Sequence, residues 1–202
     1  MTMNPWDIFL DEKILEISKK KSVLDIGGGS GFQKGLSKYK HLFSNNYKSF
    51  DIPGMGADIE GDIHEMSTAS ESVDGIICNA VLEHVVDPIR ATNEMHRILQ
   101  KGGAALIQVP SIYPYHGNKG YGGKPGYGDY WRFFDDSLSY MFRNFSKVEI
   151  VKMGGYFHAL IAFFPIQSLR KFGLDRLAIF LDKVLRREKG STTTGYIVFA
   201  TK

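Results

Sequence analysis

A run of glycines near the start of the chain has the composition of a ligand-binding loop. The segment Gly27-Gly28-Gly29-Ser30-Gly31 follows a short apolar stretch, Val23–Ile26, that contains Asp25. Glycine lets the backbone turn sharply and lets a ligand approach without a Cβ in the way. Asp25 can orient this loop or meet an ammonium group, whereas a carboxylate sits poorly beside a pyrophosphate. The run predicts either a site for a nucleotide-like cofactor or a plain tight turn.

Two further aspartates stand where predicted strands end. Asp51 lies at the end of a strand predicted over 47–52, and Asp62 ends one predicted over 57–62. A carboxylate at the end of the second strand can accept hydrogen bonds from both hydroxyls of a ribose. One at the end of the third can accept from an adenine amino group. Each aspartate alone is also typical of a turn or cap, but the three together favour an adenosine-like ligand.

The chain from about Val23 to Phe134 resembles the class I S-adenosylmethionine (SAM)-dependent methyltransferases of the type 11-like group. Four blocks in the family's order carry the resemblance: Val23–Gly31, Gly61–His64, Val73–Val85 and Arg97–Gly103. The resemblance implies SAM as the cofactor. It also implies an α/β, Rossmann-like fold with a doubly wound, mostly parallel sheet of seven strands, the last of them antiparallel.

The resemblance also assigns roles within the cofactor site. The first strand and the glycine loop would hold the amino-acid part of SAM, the second-strand aspartate the ribose, the third-strand segment the adenine, and the end of the fourth strand the sulfonium. The implied cofactor-binding residues are Asp25, Gly27, Gly28, Gly29, Gly31, Asp51, Asp62, Ile63, Asn79 and Ala80. Glu83 and His84 are typical of the fourth-strand block, where packing accounts for them as well as chemistry does.

One segment departs from the family's pattern. Many relatives have a helix between the positions of Asp51 and Asp62, but here that segment is short and contains Pro53, Gly54 and Gly56. Proline and glycine both disfavour a helix. The sequence therefore predicts a cofactor site that is more open on this side.

A long loop over 111–134, rich in glycine and tyrosine, follows the fifth predicted strand. Loops of this length are uncommon in compact domains unless they serve a site. Its aromatic and polar side chains are typical of a pocket for a flat or sugar-like ligand, although they can also simply pack on one another. Its segments 114–116 and 129–133 resemble methyltransferases associated with sugar or cell-envelope biosynthesis. The predicted acceptor-binding residues are Tyr115, Tyr130 and Arg132.

The same loop holds the candidates for catalysis. Methyl transfer from a sulfonium depends mainly on alignment and on the exclusion of water. An oxygen acceptor must also lose a proton, so a general base helps. His116 is the first candidate for that base, and Asp129 is the second or else the partner that orients His116. Arg132 can bind an anionic acceptor or pair with a nearby aspartate.

Strands and helices alternate along the sequence, which predicts a parallel sheet covered on both faces. The other predicted strands are 72–79, 104–110, 147–153 and 195–201. The clearest helix begins at Asp87-Pro88 and is predicted to end at Lys101-Gly102-Gly103. We predict one domain over residues 1–202, with the acceptor loop 111–134 and a helical insertion over about 155–190.

Composition excludes several other classes of protein. A net charge of +3 is too small to predict a nucleic-acid partner. The single cysteine, Cys78, lies in an apolar run, and the six histidines lack paired metal-ligand spacing, so no metal is predicted. With no signal-peptide pattern, a cytoplasmic location is predicted. The apolar and basic residues near the C-terminus predict either a core-covering helix, a homodimer face or weak contact with a membrane surface.

The sequence thus predicts a SAM-dependent methyltransferase, with O-methylation of a small-molecule or sugar/glycan acceptor as the favoured reaction. Two alternatives remain. The first is a non-catalytic SAM-binding protein that acts through a partner. The second is a nicotinamide-dependent oxidoreductase, which Asp25 disfavours because a pyrophosphate should avoid a nearby carboxylate.

Overall fold

A computed structural model describes residues 4–32, 35–163 and 173–202. Its α-helices are α1 (Pro5–Ser18), α2 (Pro88–Ile98), α3 (Asp135–Met141), α4 (Tyr156–Ala162) and α5 (Asp175–Val184). Short 3-10 helices cover Leu36–Leu42, Leu82–His84 and Arg187–Lys189. The 3-10 helix Leu36–Leu42 follows the glycine loop, and residues 33 and 34 lie outside the described ranges.

The strands form one mixed sheet, as predicted. They are β1 (Val23–Ile26), β2 (Tyr47–Asp51), β3 (Ile59–Glu60), β4 (Val73–Asn79), β5 (Leu99–Pro110), β6 (Lys147–Lys152) and β7 (Gly195–Thr201), in the order β3-β2-β1-β4-β5-β7-β6. The first five strands are parallel, and β7 runs antiparallel to both β5 and β6. The chain winds outward in both directions from β1 and β4, so a crevice opens at their carboxyl ends.

Apolar side chains cover the sheet on both faces. Ile14 and Ile17 of α1 pack on one face together with Leu36. On the other face, Met95 of α2 and Phe142, just after α3, are fully buried. The Asp87 carboxylate caps α2 as predicted, accepting from the backbone nitrogens of Ile89 and Arg90 at 3.1 and 2.9 Å. These packed layers fix the strand ends that carry the site.

Several predicted boundaries are wrong. Helix α2 ends at Ile98 and β5 begins at Leu99, so Lys101, Gly102 and Gly103 lie within the strand. The reason is that Leu99 pairs with Val73 of β4 and is fully buried there. Strand β3 ends at Glu60, so Asp62 follows the strand rather than ending it.

The predicted helical insertion is described only in part, because residues 164–172 lie outside the described ranges. The Asp182 carboxylate is 2% exposed and accepts hydrogen bonds from the backbone nitrogens of Gly155, Phe157 and His158 at 2.8–3.1 Å. It thereby joins α5 to the start of α4. In the part of the chain that the structure describes, every helix is too short or too polar to span a bilayer. Membrane-surface contact and a homodimer remain predictions.

Candidate functional site

The glycine loop lies at the carboxyl ends of the central strands. The backbone nitrogen of Gly27 donates to the Phe50 carbonyl at 2.7 Å, so the β1–β2 ladder continues into the loop. The Ala80 nitrogen donates to the Gln108 carbonyl at 2.9 Å and extends the β4–β5 ladder in the same way. Since β1 and β4 are neighbours, the loop faces the residues that follow β4. The structure thus brings together the segments predicted to hold the cofactor.

Two glycines of the loop are required by the protein's own packing. A Cβ on Gly27, where φ is +71°, would collide with the Val81 side chain. A Cβ on Gly28 would lie 2.5 Å from Asp25 Oδ2. Only glycine allows the loop to fold this closely onto β1 and the turn after β4.

Asp25 lies beneath the loop. It is 2% exposed, and its carboxylate accepts a hydrogen bond from the Tyr47 hydroxyl. That hydroxyl in turn accepts from the backbone nitrogen of Phe32 at 3.0 Å. Burial, together with the Asp25 charge, raises the pKa of Tyr47, so it stays a neutral donor. Of the two predicted roles for Asp25, this arrangement favours orientation of the loop.

Asp51 reaches the glycine loop from the end of β2. Its Oδ2 accepts from the backbone nitrogen of Gly29 at 2.9 Å, and its Oδ1 accepts from that of Ile52 at 2.8 Å. Each carboxylate oxygen has a further lone pair. The carboxylate is therefore fixed in place and still able to accept from ligand hydroxyls.

Asp62 lies on the more open side of the crevice. Its side chain is 67% exposed, and its Oδ1 lies 2.6 Å from His64 Nδ1. A hydrogen bond from the His64 backbone nitrogen lowers the pKa of Asp62. Ile63 is 6% exposed and belongs to the core, so it fixes the backbone here. Asp62 thus presents an ionised acceptor to solvent.

The loop 111–134 docks on the short turn that follows β4. The Glu83 carbonyl accepts from the backbone nitrogens of Tyr130 and Trp131 at 2.7 and 3.3 Å. Trp131 Nε1 donates to the Val85 carbonyl at 2.9 Å, and His84 Nδ1 lies 2.6 Å from the Gly128 carbonyl. These contacts fix the second half of the loop above the sheet.

A cavity of about 260 Å³ opens between this loop and the sheet edge. Its lining residues are Ala80, Glu83, Gln108, Val109, Pro110, Tyr113, His116, Met153 and Thr194. Tyr115 and Tyr130, the predicted acceptor-binding tyrosines, are 74% and 57% exposed and do not belong to this lining. Tyr113 contributes the aromatic surface instead.

His116 is surrounded by hydrogen-bond acceptors. Its Nε2 lies 3.3 Å from Glu83 Oε1, while its Nδ1 lies 3.1 Å from the Pro114 carbonyl and 3.3 Å from Asp129 Oδ2. The hydrogen bond with Glu83 is the main cause that raises the pKa of His116. The imidazole is therefore a stronger base than an isolated histidine.

Arg132 holds the loop together. It donates to both carboxylate oxygens of Asp129 at 2.6 and 2.7 Å and to the carbonyls of Tyr113, Pro114 and Trp131. These contacts use all five of its N–H groups, so none is left for an anionic acceptor. This arrangement favours the alternative predicted for Arg132, pairing with an aspartate, over the role of binding an acceptor.

The same ion pair limits what Asp129 can do. The Arg132 guanidinium lowers the pKa of Asp129 to about 2, so the carboxylate stays ionised and is a weak base. It also accepts from the His116 backbone nitrogen at 2.8 Å. This geometry favours its predicted role as the partner that positions His116.

Comparison with known proteins identifies the family. Residues 8–171, more than half of the chain, match the family described as "Methyltransferase domain". The chain belongs to this methyltransferase family. Membership of this family favours a methyltransferase over the nicotinamide-dependent oxidoreductase.

Solved structures share the fold of the methyltransferase at low sequence identity. A SAM-dependent methyltransferase from Archaeoglobus fulgidus is 16% identical with a TM-score of 0.60, over 98% of this chain and 93% of that one. A SAM-dependent methyltransferase from Mesorhizobium loti is 12% identical with a TM-score of 0.56, over 96% of each chain. Phosphoethanolamine N-methyltransferase 2 of Haemonchus contortus, solved with S-adenosylhomocysteine, is 14% identical with a TM-score of 0.56. Its match covers 98% of this chain and 52% of that one.

A curated relative matches part of the methyltransferase. A 37.1 kDa protein from transposon TN4556 of Streptomyces fradiae is 26% identical over 111 residues. The match covers 48% of this chain and only 32% of that protein.

The residues present fit SAM. Asp51 is held by the backbone nitrogens of Gly29 and Ile52 and has lone pairs left to accept from ribose hydroxyls. Asp62, exposed and ionised, suits an amino group of adenine. When bound, SAM supplies the electrophilic methyl group, and the chain holds and orients it.

Gly27→Ala is expected to lower the free energy of unfolding of the methyltransferase by about 3 kcal/mol. About 1 kcal/mol comes from alanine at positive φ, and about 2 from the collision with Val81. Urea denaturation measures the loss. Gly122→Ala is the matched control, because Gly122 also has positive φ (+62°) but has open space around it. Its expected loss is about 1 kcal/mol, and equal losses for the two variants would contradict the role of the Val81 contact.

Sequence reasoning left out several residues of the site. Tyr47 holds Asp25 from the start of β2, while Tyr113 and Thr194 line the cavity. The only local signal for Tyr113 was its place in the aromatic loop. Thr194 precedes the antiparallel strand β7, and its position depends on pairing with β5. Glu83 was noted in the fourth-strand block, but its full burial beside His116 became visible only in the structure.

Proposed function

We propose that the methyltransferase transfers the methyl group of SAM to a hydroxyl oxygen of a small-molecule or sugar-like acceptor. The observation that supports this proposal is the Glu83–His116 pair, which lines a cavity that begins at Ala80, next to the cofactor side of the sheet. A cavity of about 260 Å³ suits a small acceptor or one sugar unit.

The proposed reaction is an in-line displacement. The acceptor oxygen attacks the methyl carbon, the new C–O bond forms as the C–S bond breaks, and the sulfonium becomes a neutral thioether. The hydroxyl proton passes to the Glu83–His116 pair. Asp129 and the Pro114 carbonyl hold the imidazole from its Nδ1 side, so Nε2 stays directed toward Glu83. Alignment by the loop and exclusion of water supply the rest of the acceleration.

The aromatic and polar lining supports the choice of acceptor. Tyr113 gives a flat surface, while Glu83, Gln108 and Thr194 provide groups that can bond sugar hydroxyls. Tyr115 and Tyr130 lie outside this lining, so we propose for them only a role at the outer rim of the loop.

The direct test is a methylation assay with SAM labelled in its methyl group. Hydroxylated small molecules and free and nucleotide-linked sugars serve as acceptors, and mass spectrometry with NMR locates the methyl group. The proposal requires an O-methylated product. Turnover of amine acceptors alone would contradict it.

His116→Ala is expected to lower turnover about 100-fold, because proton acceptance by a positioned side chain contributes about that factor. SAM affinity, measured by calorimetry, should stay within about twofold, since the glycine loop and Asp51 are untouched. His41→Ala, at an exposed position outside the cavity, is the matched control. Unchanged turnover of His116→Ala would remove His116 from the mechanism.

A further inference from the structure

Three side chains that can bind a metal meet beneath the acceptor loop. Glu83 Oε1 lies 3.3 Å from His116 Nε2 and 3.7 Å from His84 Nε2. One ligand atom from each residue lies within 4.8 Å of the other two. Two ligands of a tetrahedral zinc ion, each about 2.0–2.1 Å from the metal, lie about 3.3 Å apart. The two distances from Glu83 are already close to this spacing, and a contraction of at most about 1.5 Å would bring all three atoms to the spacing of metal ligands.

The second nitrogen of each imidazole is held by a backbone carbonyl. His84 Nδ1 lies 2.6 Å from the Gly128 carbonyl, and His116 Nδ1 lies 3.1 Å from the Pro114 carbonyl. A carbonyl only accepts hydrogen bonds, so in each neutral ring the proton is on Nδ1 and Nε2 carries a lone pair. Histidines that bind metals are usually held in this way by their other nitrogen.

Glu83 brings a negative charge into the same place. Its side chain has no solvent exposure, and its Oε2 has no hydrogen-bond partner among the residues of the structure's described ranges. A buried carboxylate is costly unless it is paired or coordinates a cation. Arg132 is the only arginine in the sequence of the loop 111–134. Its five N–H groups donate to Asp129 and to backbone carbonyls rather than to Glu83. The cluster thus joins one carboxylate and two imidazole nitrogens, a set of groups that can bind one cation together.

We propose that Glu83, His84 and His116 form a binding site for a divalent transition-metal cation of the zinc type, with an open coordination position toward the cavity. Two imidazoles and one carboxylate favour such ions over Mg²⁺ and Ca²⁺, which prefer oxygen ligands. Three protein ligands and one open position are typical of catalytic zinc sites. The site revises the expectation of no metal, which rested on spacing along the chain, whereas His84 and His116 come from separate segments.

The role of the cation rests on the proposed function. A hydroxyl oxygen bound at the open position would have a lowered pKa. Its proton would pass to Glu83 Oε2, which coordination through Oε1 leaves available. In this arrangement the metal takes the place of the proton that Glu83 and His116 otherwise share.

The test measures metal binding without SAM or acceptor. Chelator-treated protein is titrated with Zn²⁺ by calorimetry and with Co²⁺ by visible absorption, which reports coordination geometry. We expect one Co²⁺ per chain with the intense bands of tetrahedral coordination. Glu83→Gln and His116→Gln should each weaken binding at least about 100-fold, while the exposed control His41→Gln should not change it. Retained SAM affinity shows that each variant is folded, and His116→Gln serves if Glu83→Gln fails to fold.

Either of two results overturns the site: no Co²⁺ binding to the unmodified chain, or Co²⁺ binding that both variants leave unchanged. Tight binding of Mg²⁺ with none of Co²⁺ would overturn the assigned class of ion. The two proposals can fail separately. O-methylation that persists after chelation, without Co²⁺ binding, removes the metal and keeps the reaction, whereas Co²⁺ binding without any O-methylated product keeps the site and removes the reaction.

Discussion

Replacing Asp51 with alanine is expected to weaken SAM binding about 1,000-fold, as measured by calorimetry. The carboxylate is the acceptor proposed for the ribose hydroxyls, and each hydrogen bond to a charged group contributes about 1.5–3 kcal/mol. Two such bonds correspond to about 4 kcal/mol, or three powers of ten. In the unchanged protein the Gly29 backbone nitrogen donates to Asp51 Oδ2 at 2.9 Å. Asp51→Ala removes this acceptor, so the glycine loop also loses a hydrogen bond that holds it in place.

Asp58→Ala is the control for this prediction. Asp58 follows the same strand, and it accepts from the Ser49 nitrogen and hydroxyl at 2.8 and 3.0 Å rather than from the glycine loop. Asp58→Ala should lower the free energy of unfolding and leave SAM affinity within about threefold. If Asp51→Ala and Asp58→Ala bound SAM equally well, Asp51 would not be the ribose acceptor.

Replacing Arg132 with methionine is expected to lower the free energy of unfolding by about 4 kcal/mol. Methionine keeps much of the apolar bulk but removes the charge that pairs with Asp129, whose side chain has no solvent exposure. The Arg132 side chain is 25% exposed, but the Asp129 carboxylate that it leaves behind stays buried. Removing one partner of a buried ion pair costs about 3–5 kcal/mol for that reason. Urea denaturation gives the free energy, and faster amide hydrogen exchange over residues 113–132 locates the loss.

Arg143→Met separates this effect from the simple loss of a surface cation. The Arg143 guanidinium lies 4.1 Å from the Tyr140 ring and donates to the Tyr140 carbonyl, and it has no carboxylate partner among the described residues. Its replacement should cost less than about 1 kcal/mol. SAM affinity should be unchanged in both variants, since neither touches the glycine loop. Equal losses of stability would show that the Arg132–Asp129 pair adds nothing beyond surface charge.

The fold could be predicted where a strand is a short, continuous apolar run. The bounds of β1 (Val23–Ile26) and β7 (Gly195–Thr201) were predicted to the residue. A strand buried on both faces is apolar along most of its length, so the apolar run itself marks where the strand begins and ends. The start of β5 could not be predicted in this way. The helical spacing of α2 continues through Leu99, but pairing of Leu99 with Val73 ends the helix one residue earlier. Tertiary pairing, which local periodicity does not contain, decided that boundary.

The residues of the site also differ in how well the sequence could predict their positions. The glycine loop and Asp51 are close to their strands in sequence, so their places followed from the strand prediction. The acceptor side depends on contacts between distant segments: Glu83 meets His116 across the turn after β4, and Arg132 turns back to Asp129. The sequence allowed Arg132 to bind either an acceptor or an aspartate, and its five hydrogen bonds in the structure favour the aspartate. The roles given to His116 and the cofactor residues stay predictions until they are tested.

The loop 111–134 is held at both ends and projects at its tip. Its tip is a small hairpin in which Asn118 and Tyr127 exchange backbone hydrogen bonds of 2.9 and 2.7 Å. The contacts that dock the loop on Glu83, His84 and Val85 come from His116 and from Tyr127 onward. Residues 119–126 lie outside these contacts and outside the cavity lining. A library that varies this segment alone would therefore change the tip of the loop while leaving the docking contacts and His116 in place.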